Sequence, residues 1–200
     1  MRYLIILLLA VVSSVTYANF ESNVSQEGWV TKDGKPVPNR DNMKSIKGFG
    51  GWLIITPDKD WAEKWETPSH TTPYFSEANQ VEYGQQLFIL TFFINPLVDK
   101  QGNVDITCGL KIIRPNNTVS IDNQGIKCIN GNFPGDPRNV YLSPVVINYS
   151  GDAGDPPGEW IVEVSLTDNN RGAHVPLKSR FTLIDKANKA HQPTLKKRRG

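Results

Sequence analysis

Two apolar rhythms run through the middle of the chain. From Val104 to Ile112 the apolar residues Val104, Ile106, Cys108, Leu110 and Ile112 fall on every second position, and Trp160, Val162, Val164 and Leu166 repeat that spacing. A period of two predicts strands with one face buried and one wet. Gln86 to Ile94 (QLFILTFFI) is apolar almost throughout and predicts a central strand, closed by Asn95-Pro96. Shorter candidates are Trp52–Thr56, Val119–Ile121, Gly125–Ile129 around an Asp122-Asn123-Gln124-Gly125 turn, Val140–Tyr149 and Val175–Ile184.

One segment breaks this pattern. Thr56-Pro57-Asp58-Lys59-Asp60 offers a capping hydroxyl, a proline suited to a first helical position and two acids for the positive end of a helix dipole. It predicts one short helix over about 57–66, stopped at Thr67-Pro68. With seven or eight strands, turn signals every ten or so residues and no βαβ alternation, the expected fold is mainly β: an antiparallel immunoglobulin-like β-sandwich over 48–186. The stretch 19–47, polar and rich in Gly and Pro without a period, is expected to be a loosely packed arm.

The two ends change the picture. Met1-Arg2-Tyr3 precedes an aliphatic run from Leu4 to Val12, and small residues follow up to Ala18. A basic start, a short apolar run and a small-residue break predict a signal peptide over 1–18, cleaved after Ala18. The run falls short of the ~20 apolar residues that a membrane span needs. The expected address is therefore periplasmic or secreted, without a transmembrane segment after cleavage. At the other end Lys186 to Gly200 holds six basic residues and no acid, against 15 basic and 20 acidic residues in 19–185. Residues 187–200 are expected to be a disordered basic tail whose Lys196, Lys197, Arg198 and Arg199 can meet an anionic surface. Nucleic acid is the wrong partner for that compartment.

Two cysteines, Cys108 and Cys128, remain in an exported chain, and one disulfide is the expectation. Their spacing lacks the short C-x-x-C form that redox or zinc chemistry commonly uses.

Trp52 to Ile55, Thr56-Pro57-Asp58-x-Asp60-Trp61-x-x-Lys64-Trp65, Gly102-Asn103-Val104-Asp105 and Gly154-Asp155-Pro156-Pro157-Gly158-Glu159-Trp160 stand at spacings that resemble a group of small secreted proteins of Gram-negative bacteria. That family has an immunoglobulin-like body and no assigned activity. The resemblance covers about residues 50–185; it implies a fold and a compartment and brings no catalytic residue or cofactor.

Candidate chemistry is sparse. Trp61 and Trp65 lie four apart, on one face of the expected helix. Such a pair can stack on sugar rings, or it can staple the helix onto the sandwich, the commoner use of buried aromatic surface. His70, His174 and His191 have no metal-ligand spacing. Asp99, Asp105, Asp152 and Asp155 sit in loops where calcium could bind, but Asp before Gly is also ordinary turn chemistry. No G-x-S-x-G or phosphate loop occurs. The leading expectation is a non-enzymatic exported module that binds an envelope protein or glycan through the edges or loops of its sandwich. A glycan-binding module using Trp61 and Trp65, and a hydrolase without a recognisable motif, are the alternatives.

Overall fold

A computed structural model describes residues 28–67 and 73–185. The expected signal peptide, the basic tail with Lys196, Lys197, Arg198 and Arg199, and His70 and His191 lie outside the described residues. Within them the fold is mainly β, with ten strands in two five-stranded sheets and one short helix.

The first sheet holds β1 (Met43–Ile46), β2 (Phe49–Thr56) and β4 (Gln86–Ile94) in that order, with β7 (Tyr141–Leu142) and β8 (Ile147–Ser150) sharing the far side of β4. The second runs β3 (Gln80–Glu82), β10 (Ala173–Ile184), β9 (Gly158–Asp168), β5 (Asn103–Ile113) and β6 (Val119–Asn132). Alternation decides which side of each strand faces the other sheet. Leu53, Ile55, Leu87, Ile89 and Phe93 of the first sheet share one core with Ile106, Leu110, Trp160, Val162, Leu166, Val175 and Phe181 of the second. The sheets approach closely at Gly51. A Cβ there would stand 2.9 Å from Leu166 Cδ1 and 3.1 Å from Leu177 Cδ1.

Cys108 and Cys128 form the expected disulfide, between neighbouring strands β5 and β6, with Cα atoms 5.8 Å apart. Both are buried, and the hydroxyl of Ser143, in the segment between β7 and β8, lies 3.5 Å from Cys128 Sγ.

Five expectations are corrected. The strands number ten, because β1 and the three-residue β3 carry too little pattern to be seen and Val140–Tyr149 divides into β7 and β8. Pro144 cannot donate to β4, and the chain between the two strands is held by Ser143 N–H donating to Thr91 O at 2.8 Å. Val119–Ile121 and Gly125–Ile129 are one strand. β6 absorbs the supposed turn as bulges, with register shifts opposite Ile106/Thr107, Cys108/Leu110 and Ile112/Ile113. The sheets are not wholly antiparallel, since β3 pairs parallel to β10. The helix is α1 (Trp61–Trp65) rather than 57–66. Thr56 ends β2, fully buried, and its hydroxyl accepts the Asp58 N–H at 3.1 Å, a turn that delays the helix. Finally, the described part of the polar arm is not loose: β1 pairs with β2, and Trp29 Nε1 donates to Gly51 O at 3.0 Å.

Candidate functional site

The two sheets treat their outer faces differently, and that difference locates the candidate site. On the first sheet, outward residues Ile54, Leu90 and Phe92 are almost fully buried. They are roofed by Trp29, Trp52, Trp61, Trp65 and Phe75, which form a second small core. Trp65 packs 5.1 Å from Phe92, Trp61 6.2 Å from Phe88, and Trp29 meets Trp52 edge-on at 6.0 Å. Trp61 and Trp65 are thus brought onto one surface, half-buried, as the staple that holds α1 to the sheet.

The roof is tied at its rim by Asp58. Its Oδ2 accepts from Lys64 Nζ at 2.7 Å and from the Ser76 N–H at 2.8 Å, joining the start of α1 to the returning chain. Burial alone pushes the Asp58 carboxyl up; the Lys64 and Ser76 hydrogen bonds and the Lys64 charge outweigh it and leave the group below its ordinary 3.8.

The outer face of the second sheet is roofed by nothing among the described residues. Strand pairing sets its side chains in rows across β6, β5, β9 and β10. One row is charged, Asp122, Lys111, Glu163 and Lys178, each opposite the next. The row beside it is small: Gly109, Ser165 and Pro176 stand in register on β5, β9 and β10. A third holds Thr107, Thr167 and His174, with Thr167 Oγ1 3.0 Å from His174 Nδ1. The step from long to small side chains leaves an open groove of about 460 Å³ over Gly109, Ser165 and Pro176. A Cβ on Gly109 would overlap the Gln124 carboxamide and the Ser165 hydroxyl, so these two side chains lie over the glycine and would have to shift for any larger residue.

The charged wall is unevenly paired. Lys178 Nζ takes Glu163 at 3.2 Å, and the Gln124 amide donates to Asp122 at 2.8 Å. Glu163 is therefore shared with Lys178, whereas Asp122, opposite Lys111, takes only the uncharged Gln124 amide; among the described residues Lys111 makes no ion-pair contact. Beyond β10 the wall continues as Asp41 and Lys44, which stand 4.0 Å apart. Asp41 is fixed by its carbonyl, which accepts the Lys178 N–H at 2.8 Å.

At one end of the two sheets lies a buried ionic clamp. Asp168, fully buried, accepts the Leu97 N–H at 2.8 Å and the Arg171 N–H at 3.0 Å, and Arg171 Nε lies 3.5 Å from its Oδ2 without a hydrogen bond. The Arg171 guanidinium also donates to Lys47 O and Asn95 O, both at 3.0 Å. Lys47 and Asn95 are left-handed residues with φ of 51° and 54°. The clamp thus spans both sheets.

Of the acids expected in loops, Asp105 lies instead within β5, where its carboxylate accepts the Asn169 side-chain amide at 3.1 Å, and two of the others serve turns. Asp99 Oδ1 accepts the N–H groups of Gln101 and Asn103 at 2.8 Å, and Asp155 accepts the Asp152 N–H at 3.2 Å. Among the described residues no three His, Cys, Asp or Glu side chains gather as metal ligands, and no helix is long and apolar enough to cross a membrane.

The sequence reading missed the groove and the clamp. Lys111, Glu163 and Lys178 do occupy the wet positions of its alternating strands. Only register, which periodicity does not carry, sets them side by side.

No protein-family model matches the chain, and no curated protein matches it. Among solved structures it is similar to a family 123 glycoside hydrolase from Clostridium perfringens, at 11% identity over 68% of this chain with a TM-score of 0.38. The chain spans 27% of the length of that hydrolase. It is also similar to a CARDB domain from Pyrococcus furiosus, solved with di-metal ions, at 7% identity over 74% of this chain and 100% of that one, TM-score 0.37. A third, an alkylpurine DNA glycosylase from Pseudomonas fluorescens, shows 11% identity over 53% of this chain and 27% of that one, TM-score 0.35. Likeness at this level brings no function to the chain.

Proposed function

We propose that the chain is an exported, non-enzymatic binding module of the bacterial envelope, built on an immunoglobulin-like sandwich, which engages its partner across the open outer face of β5, β9 and β10. Export is supported by the basic, apolar and small-residue order of the first eighteen residues and by a buried disulfide. The observation that carries the binding reading is the contrast between faces: one outer surface is sealed under five aromatic side chains, the other is open and holds the groove.

Binding by strand addition fits this molecule less well than the expectation of edge binding held. The edge strands β1, β3, β7 and β8 are four residues or shorter, and β6, the long edge, carries three register shifts. Short and bulged edges are the devices by which sheets avoid pairing with other chains. Nor does the packing of Trp61 and Trp65 onto Phe88 and Phe92 favour them as a sugar platform, since it turns ring surface toward the sheet.

The test is capture from an envelope extract by the wild-type chain and by Ser165→Tyr, which fills the groove. The proposal expects a component retained by the wild type and lost by the variant. Identical retention by both would overturn it.

A further inference from the structure

Resting on the binding reading above, we propose that the partner at the open face of the second sheet is a second copy of this chain, packed face to face about a two-fold axis running along the strands between β5 and β9.

The charged row is matched to itself. Across β6, β5, β9 and β10 it reads Asp122, Lys111, Glu163 and Lys178, so its signs alternate and cancel. A two-fold axis along the strands reverses the order within a row and keeps each row at its own height, the isologous arrangement of a symmetric dimer. Laid over itself in this way, the row sets Lys111 against Glu163 of the second copy and Asp122 against Lys178 of the second copy. Each contact occurs twice. An axis laid across the strands on this row would keep the order unchanged and set like charge on like, which specific interfaces avoid. Only a balanced row can face its own copy without net repulsion.

The row on the side of the charges away from the groove is apolar. Val119, Ile113 and Ile161 stand in register on β6, β5 and β9, and Val119 is 46% exposed. None of the three belongs to either core. The same axis brings Ile113 over Ile161 of the second copy, burying surface that nothing among the described residues covers. Arg180 ends this row on β10, held by Glu159 at 3.2 Å, and comes over Val119. In the Thr107 row Lys127 comes over His174, a position that the axis leaves without an opposite charge. The two grooves meet as a channel with room for water, a common feature of interfaces. From Ile106 to Ile113 the four strands cover ~26 by ~19 Å, about 500 Å² of each copy. The total of about 1,000 Å² is the lower bound for a specific interface, so the dimer is weak and reversible.

Sedimentation velocity of the exported chain over a concentration series tests this, on the wild type and on Lys111→Glu and Glu163→Lys, each alone and mixed in equal amounts. The wild type is expected to dimerise with a Kd in the micromolar range. Either variant alone sets two like-charged pairs across the axis and is expected to associate at least about tenfold more weakly. The mixture is expected to recover dimers, because the two carboxylates of one variant then face the two ammonium groups of the other. Misfolded variants would not rescue one another, and melting temperatures close to that of the wild type check each fold. A wild type that stays monomeric at the highest concentration would overturn the assignment, as would variants that dimerise as the wild type does or a mixture no more associated than its components. If the assignment fails in one of these ways while Ser165→Tyr still loses its envelope component, only the identity of the partner falls. If Ser165→Tyr keeps that component, the binding reading falls with it.

Discussion

Replacing Asp168 by Ala removes the centre of the clamp and leaves its partners in place. The carboxylate is 1% exposed and the Arg171 side chain 14%. Without Asp168 the partly buried Leu97 and Arg171 N–H groups lose a charged acceptor, and each donor that stays dry costs about 1–3 kcal/mol. The guanidinium keeps two carbonyl acceptors but loses its counter-charge, and breaking a buried pair from one side costs about 3–5 kcal/mol. These contributions overlap, and some water will enter, so the expected loss is about 4 kcal/mol, near the top of what single substitutions do. At about 2–4 °C per kcal/mol for a domain of this size, the melting temperature should fall by roughly 8–16 °C. Urea denaturation followed by tryptophan fluorescence measures the loss directly. The reasoning also fixes the double variant: Asp168→Ala with Arg171→Met should be more stable than Asp168→Ala alone, because no buried charge is stranded. A loss below about 1 kcal/mol for Asp168→Ala, or a double variant as unstable as the sum of the singles, would refute it.

Cys108→Ser should cost about 3 kcal/mol, the value that loop closure gives for cysteines 20 apart in sequence, and unreduced mass spectrometry of the wild type should show no free thiol. Trp65→Ala, opening the roof over Phe92, should cost about 2 kcal/mol, less than the ~3–5 of a fully buried tryptophan, and acrylamide should quench the remaining tryptophans more readily; unchanged stability would mean that the roof is not packed as described. Asp58 gives a pH signature. Its carboxyl is depressed in the folded chain, so its contribution is present above the unfolded value near 3.8 and lost as pH falls through the folded one. Asp58→Asn should therefore be less stable than the wild type at neutral pH, with the gap closing below about pH 4; a gap that stays constant down to pH 2 would contradict this.

Where side chains alternate without interruption the sequence was readable. β5 and β9 show their buried and wet faces residue by residue, and Cys108 lands on the inner side of β5 as its position in the alternation requires. β6 was not readable for a definable reason. Ser120, Cys128 and one of Gln124 and Gly125 are extra residues relative to β5, and each reverses the parity on which periodicity depends. Ile121, Ile126 and Ile129 consequently all pack against the core, although Ile126 differs in parity from the other two. The aromatic roof was legible only in part. Trp61 and Trp65 announce themselves by spacing, but Trp29 and Phe75 reach the same surface from segments without any period. Asp168 reads in sequence as one more turn acid beside two asparagines; burial, which the local sequence does not encode, makes it the centre of the clamp.

The parallel pairing of β3 with β10 has a consequence in time. Thr182 sits against Gln80, 102 residues earlier, and the same closing strand takes Asp41 on its N-terminal half through the Lys178 N–H. Contacts this distant in sequence form late, because the intervening chain must be ordered before they return anything. At synthesis rates of about 5–20 residues per second, β3 waits roughly 5–20 s for the strand that completes its sheet. Until then β3 has no partner strand, and the edge of β9 away from β5 is unpaired. A strand that arrives this late leaves the edges it will pair with open in the meantime, and open edges are where sheets pair wrongly.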